Sequence, residues 1–492
     1  MKFQTMMKTG IVALTLMFAV LTAGAQRILT LSDALEIAWG NSPDIQKSLL
    51  SLERSEQSLI AQNAALKSKF SLNVTPFSYD LNRSFNDFYS TWNTNENYQS
   101  FGTFTVSQPI LLTDGTVSLI NRFGWQDNYS EFNDTRSKTF SNNLYLSISQ
   151  PLFTYNATKL ELKELELDLE NTKLNYAIQK LNLEKNVTQF FYNVYLAQMS
   201  LSIAEDEFAN TEKSFEITKN KVDAGLAAKE ELYQAELNYA TARSNVQNKR
   251  VTLDNYKDQF KQYIGMELME EISVMTDVEA QPVKIDMEKA IEYGLLSRME
   301  IRQREIEIEN SQFSLIRTKA LNEFKGSMNL SVGIIGDNEK LVDVYQNPTN
   351  NPRFSLAFNV PLWDWGEKKA RIKAQEAIIK TRNLDFNQEK IQIVMDIRQV
   401  NRNLQNLVNQ IDIARQNEKN AQLTYEINLE RYANGDLTSM DLNLFQTQLS
   451  EKKMAYAQAL IDYKIELLNM KVQTLFDFEN NKAIVPEELL KK

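Results

Sequence analysis

The chain has 492 residues, a formal net charge of −10, no cysteine and no histidine, so disulfides, thiolate chemistry, histidine metal sites and the commonest general base are all excluded. An acidic balance with no basic block argues against nucleic acid as a partner. The 14 glycines and nine prolines amount to about one residue in twenty, against roughly one in eight in average proteins, which leaves room for helices far longer than three turns.

At the N-terminus, Lys2 and Lys8 precede an apolar run over 11–21 that ends in "AGA" at 23–25. A basic start, a short apolar core and small residues predict a secretory signal peptide, 1–25, cleaved after Ala25. With no cysteine beyond it, lipid anchoring through cysteine is not expected. No later run approaches eighteen apolar residues, so any membrane passage is expected through β-strands.

Next come "ALEIAWGNSPDI" (34–45) and "KFSLNV" (69–74), and both return 256 positions later as "AIEYGLLSRMEI" (290–301) and "KGSMNL" (325–330). "SISQPLFTYN" (147–156) is answered by "AFNVPLWDWG" (357–366), and Pro151, Pro361 and then Gly225, Gly435 each lie 210 apart. The chain beyond the leader is therefore a tandem duplication whose first copy carries 46 extra residues. Those residues fall between Pro76 and Asn143 and contain a second "SQPILL" (107–112) followed by "DGTVSL" (114–119). They predict an additional β-hairpin, expected as an extracellular extension rather than two further wall strands.

From 157 to 222 there is no Gly or Pro. Val187, Val194, Leu201, Phe208, Phe215 and Val222 keep a seven-residue register there, and Ile397, Leu404, Ile411, Tyr425 and Tyr432 keep it in the second copy, broken at Glu418. Leu232, Tyr239, Val246, Leu253 and Phe260 return after Gly225; Leu442, Leu449, Tyr456, Tyr463 and Met470 return after Gly435. Such heptads on two segments joined by a glycine turn predict antiparallel coiled-coil hairpins with a descending helix about 100 Å long. Helical heptads alone favour a structural rod. Apolar and small polar residues alternate through Leu144, Leu146, Ile148 and through Phe354, Leu356, Phe358, Val360. That alternation fits an outer-membrane strand or a half-buried strand of a soluble sandwich. Trp92, Trp125, Trp363 and Trp365 beside these strands favour a membrane interface.

Two copies of helix, strand, strand, long helix, turn and helix, a proline at each strand-to-helix junction, and "RYANGDLTSMDL" (431–442) at the second turn resemble the TolC-like outer membrane factors. The resemblance covers almost all of the chain beyond the leader. It implies a mainly α fold with a membrane β-barrel: a homotrimer whose α-helical periplasmic tunnel continues into a 12-stranded barrel, four strands from each chain. In these terms 26–265 is the first repeat, 266–286 an equatorial linker, 287–475 the second repeat and 476–492 an equatorial tail. Pro151 and Pro361 are expected where barrel passes into tunnel, because proline cannot donate to a ladder.

The resemblance also implies sites. Tips at 222–228 and 432–438, with Gly225, Leu226, Gly435 and Asp436, would meet a periplasmic adaptor. Asp441 would form a ring at the entrance. Leu444 stands where relatives have a second aspartate, with Asn443 beside it, and Tyr432 would latch to Glu231. Implied partners are an inner-membrane RND or ABC transporter and outer-membrane lipid. No cofactor and no enzyme activity are expected, since no phosphate loop or ligand cluster is present. The alternatives are a periplasmic coiled-coil adaptor or a structural rod without channel activity.

Overall fold

The computed structural model describes residues 27–276, 281–434 and 436–484; the expected leader, Gly435 and the last eight residues of the expected tail lie outside them. Two compact units form. Among the described residues, one is built from 27–51, 173–276, 281–302, 387–434 and 436–484, the other from 52–172 and 303–386.

Four strands make a meander in the second of these: β2 (Lys69–Asn86), β3 (Thr91–Ile110), β4 (Gly115–Ser130) and β5 (Thr135–Leu152). β5 then pairs with β7 (Lys325–Asn338), which pairs with β9 (Arg353–Asn359) and with the two-residue β8 (Thr349–Asn350). Every neighbour in this sheet is antiparallel. β2 carries a bulge between Thr75 and Ser78, where Pro76 cannot donate and the outer side of the strand has no partner among the described residues to miss it.

The register sorts side chains onto two faces, because directly opposed residues point the same way. Phe70, Val106, Leu119, Leu146 and Val332 form one row across five strands. Three residues along, Asn73, Thr103, Arg122 and Asn143 form a row on the other face, as do Ser118, Ser147, Ser331 and Arg353, one residue along. The alternation read in the sequence thus becomes one apolar and one polar face.

Two expectations change here. The added hairpin, β3 with β4, does not project from the sheet: it is paired along its length with β2 on one side and β5 on the other. Each chain therefore brings six principal strands to the sheet rather than four. Its lower turn is also tied in, for Asp114 accepts from the backbone N–H groups of Ala157 and Thr158 at 3.1 and 3.2 Å. The second change concerns the prolines. Pro151 does not end pairing; it sits opposite Ser327, and Leu152 opposite Gly326. β4 has already ended opposite Ser149, so β5 is one-sided there and tolerates a missing N–H. Pro361 lies two residues past the last paired residue, Asn359.

The helices are of matched length, α1 (Leu31–Asn41), α2 (Pro43–Ala65), α3 (Ala157–Asp223) and α4 (Lys229–Ile264) in the first copy. The second copy has α5 (Met287–Ser297), α6 (Met299–Lys319), α7 (Glu367–Ala433) and α8 (Ser439–Thr474). α3 and α7 are both 67 residues, α4 and α8 both 36. Equal spacing from proline to glycine in the sequence required this. α7 is capped locally, Asp364 accepting from Gly366 and Lys368 N–H at 2.9 and 3.1 Å, whereas α3 borrows Asp114 from the added hairpin.

The heptad positions are the core. Val187, Val194 and Phe260 of the first copy and Ile397 and Met470 of the second are fully buried. β1 (Arg27–Leu29) pairs in parallel with β6 (Ile272–Val274), placing a strand inside the segment expected to be equatorial. A short antiparallel pair, β10 (Phe476–Asp477) with β11 (Lys482–Ala483), follows α8. Among the described residues no helix is long and apolar enough to cross a membrane.

Candidate functional site

The first helical hairpin reverses at a tip whose geometry follows from one residue. Gly225 has φ +73°, the left-handed region that costs an L side chain about 1–2 kcal/mol. Its N–H donates to Val222 O at 3.0 Å and the N–H of Leu226 to Lys221 O at 2.8 Å, so two orphan carbonyls of α3 are satisfied before the chain turns. The second tip repeats the outer bond 210 residues later, Asp436 N–H to Arg431 O at 2.9 Å. Leu226 is 79% exposed and Asp436 is exposed, so both tips present side chains outward.

The returning helices start differently. Thr438 caps α8, accepting from the Asp441 N–H at 3.2 Å and donating its hydroxyl to the Asp441 carboxylate at 2.6 Å. Ala228 offers α4 no side-chain cap, and Glu230 and Glu231 favour that first turn through the helix dipole. Leu444 is 56% exposed, one turn beyond Asp441, with Asn443 half-buried between them.

Tyr432 is buried, and its hydroxyl lies 3.0 Å from Ser214 Oγ, which in turn lies 2.9 Å from Ser439 Oγ. Lys221 Nζ stands 5.6 Å from the Tyr432 ring centre. The side chain therefore ties the end of α7 to α3 and to the start of α8. Glu231, the partner expected from the resemblance, is exposed and receives no bond from it. The reason is directional: Tyr432 continues the buried heptad seam of α7, which aims it at the neighbouring long helix. Ser214 and Ser439 were missed in the sequence because a lone serine on a charged helix reads as solvated surface. Tyr432→Phe and Ser214→Ala should each remove a bond worth about 1 kcal/mol. The two should be non-additive in a double-mutant cycle of thermal stability.

Farther up α3, Glu207 faces Thr447 of α8, its carboxylate 3.5 Å from the hydroxyl. Burial pushes this carboxyl above its ordinary value, while the Thr447 hydroxyl and Lys249 act in the opposite direction. A raised acid favours the folded state below the ordinary carboxylate range and loses that contribution as pH rises through the folded value. Glu207→Gln should therefore melt slightly higher than the parent at pH 7, with the difference vanishing near pH 4.

An antiparallel sheet with one apolar face, in one chain with two helices more than sixty residues long, the first ending in a glycine-turned tip, defines the class of outer-membrane channels. The chain matches the family described as "Outer membrane efflux protein" over residues 34–265 and 324–472. It is 21% identical to Outer membrane protein TolC of Escherichia coli (strain K12) over 365 residues, 71% of this chain and 72% of that one. It is similar in fold to the Campylobacter jejuni CmeC outer membrane channel, with a TM-score of 0.70 and 14% identity over 94% of this chain and 88% of that one. The Neisseria gonorrhoeae MtrE outer membrane channel in its open state gives a TM-score of 0.65 and 13% identity, covering 91% and 89%.

The chain belongs to the outer membrane efflux protein family. It is an outer-membrane exit channel with a periplasmic helical extension, and not an enzyme.

Proposed function

We propose that three copies of this chain form the exit duct of a tripartite efflux or type I secretion system. The duct receives substrate from an inner-membrane RND or ABC transporter by way of a periplasmic adaptor and conducts it passively outward. One observation carries this reading: the sheet has an apolar and a polar face, yet neither β2 nor β9 has a partner on its outer edge among the described residues. Lipid offers nothing to unpaired backbone groups, and six strands are below the eight of the smallest closed barrels. Other chains must supply the missing neighbours.

Exposed apolar side chains on the second faces of the helices point the same way. Leu384 and Ile391, then Ile413 and Ile427, repeat at heptad intervals on α7 and are 60–67% exposed. In this assembly Gly225, Leu226, Gly435 and Asp436 meet the adaptor. Asp441 and Leu444 line the entrance, with Glu231 in the facing first turn, and Tyr432 holds the tip closed through Ser214. Pro151 and Pro361 mark the passage from barrel to tunnel.

Cysteines at Ser147 and Ser355 should react with a membrane-impermeant thiol reagent in intact outer membranes. Those at Leu146 and Leu356, on the apolar face, should be shielded by lipid. Equal labelling of the two classes would remove the barrel from the proposal.

A further inference from the structure

We infer that the added hairpin is part of the membrane wall, so that closure by three chains gives an eighteen-stranded barrel about half as wide again as one of twelve strands. The count rests on the trimer proposed above; the placement of the hairpin rests on its own observations.

The first is pairing. β3 is bonded to β2 and β4, and β4 to β3 and β5, so neither strand is free to swing outward or into the lumen. The second is patterning. Phe104 and Val106 on β3 and Val117 and Leu119 on β4 share the apolar face with Leu146 and Ile148, through Val106↔Leu119↔Leu146 and Val117↔Ile148. Thr103, Thr105, Ser107, Thr116 and Ser118 fall on the polar face. Phe104 and Leu119 are 42% and 43% exposed, as lipid-facing side chains are in a chain taken alone. A hairpin standing in water or plugging the lumen would have no use for an apolar stripe continuous with the wall on both sides.

The third is the lower turn, which rebuilds the junction of a wall strand with its helix. "FTVSQPILLTDGT" (104–116) matches "LSISQPLFTYNAT" (146–158), 42 positions on. In both copies the glutamine amide holds two carbonyls, Gln108 those of Leu66 and Pro109 at 2.8 Å each, and Gln150 those of Thr113 and Pro151 at 2.6 and 2.8 Å. Asn156 also donates to Leu111 O at 2.6 Å, locking the added turn onto the start of α3. The insertion is thus a second copy of the wall hairpin.

Closure asks only for further copies of this chain. Six strands is an even number, so β2 and β9 run in opposite directions, and β2 of one chain continues the antiparallel alternation beside β9 of the next. Barrel diameter grows roughly linearly with strand number. The barrel is then wider than one of twelve strands, and selection of cargo by size falls to the helical tips. Bulky polar cargo meets a hydroxyl- and amide-rich lining on its way out.

Electron cryo-microscopy of the full-length protein should show threefold particles with eighteen strands. A threefold particle with twelve strands overturns this inference alone; a particle of other symmetry overturns the trimer beneath it. In planar bilayers, the largest polyethylene glycol entering from the extracellular side should be about one third smaller in diameter for a variant lacking residues 108–149. That deletion joins Ser107 to Gln150 and keeps the Ser-Gln-Pro junction. An unchanged cut-off overturns the inference. Independently of whether the deletion variant folds, a cysteine at Ser118 should react with an impermeant thiol reagent and one at Leu119 should not. Equal reaction places the hairpin outside the wall.

Discussion

Phe260→Ala is expected to destabilise the helical unit by about 3–5 kcal/mol, a large part of the 5–15 kcal/mol that holds a typical domain folded. Phe260 has no exposed surface and meets Phe191, also fully buried, with ring centres 6.2 Å apart in an edge-on arrangement. The same cluster includes Leu29 of β1, Ala34 and Ala38 of α1, Ile264 of α4, Ile272 of β6 and Ile461 of α8. Both ends of the first repeat and a helix of the second therefore meet in this one cluster. Removing it opens a cavity that several elements would have to fill together, and fixed helices collapse poorly into such a space. The measurement is heat resistance of the purified oligomer in detergent, with Met269→Ala, 94% exposed, as the control expected within about 0.5 kcal/mol of the parent. A Phe260→Ala protein that melts with the control would show that the tunnel is held by contacts between chains rather than by this core.

The comparison between sequence and structure is sharpest where contacts change from local to distant. Heptads from Val187 to Val222, glycine turns and repeat intervals depend on neighbours a few residues away, and they led directly to paired helices of 67 and 36 residues. The alternation of Phe104 with Val106 and of Val117 with Leu119 was equally readable. What it could not specify was the neighbour: alternation sets which face a side chain takes, whereas pairing of β3 with β2 and of β4 with β5 is a matter of register between strands. The same limit explains Asp114, which caps a helix that begins 43 positions later, and Tyr432, whose hydroxyl partner lies 218 positions earlier. At the tips, family likeness suggested an acidic partner for that tyrosine. The direction of the buried seam chose a serine.

Asp441→Asn should lower cation over anion selectivity several-fold in planar-bilayer recordings and weaken block by trivalent cations. The substitution isolates charge from structure. Asp441 lies in the first turn of α8, where its carboxylate accepts from the Thr438 hydroxyl at 2.6 Å and its N–H donates back at 3.2 Å. Asparagine retains an oxygen acceptor and the same backbone N–H, so the cap survives and the tip keeps its shape. In the proposed trimer, what changes is three negative charges around a narrow mouth whose low-dielectric walls concentrate their field, and a multivalent cation feels that field most strongly. Leu444, exposed one turn farther along, supplies no second set of charges, so block of the parent channel should itself be weaker than in a channel with two acidic rings. Thr438→Val separates the two roles. It removes the cap and keeps the charge, and should leave selectivity near the parent's while lowering stability by about 1 kcal/mol. If Asp441→Asn leaves selectivity and block unchanged, the carboxylate serves the helix and not the pore. The entrance must then owe its selectivity to other residues.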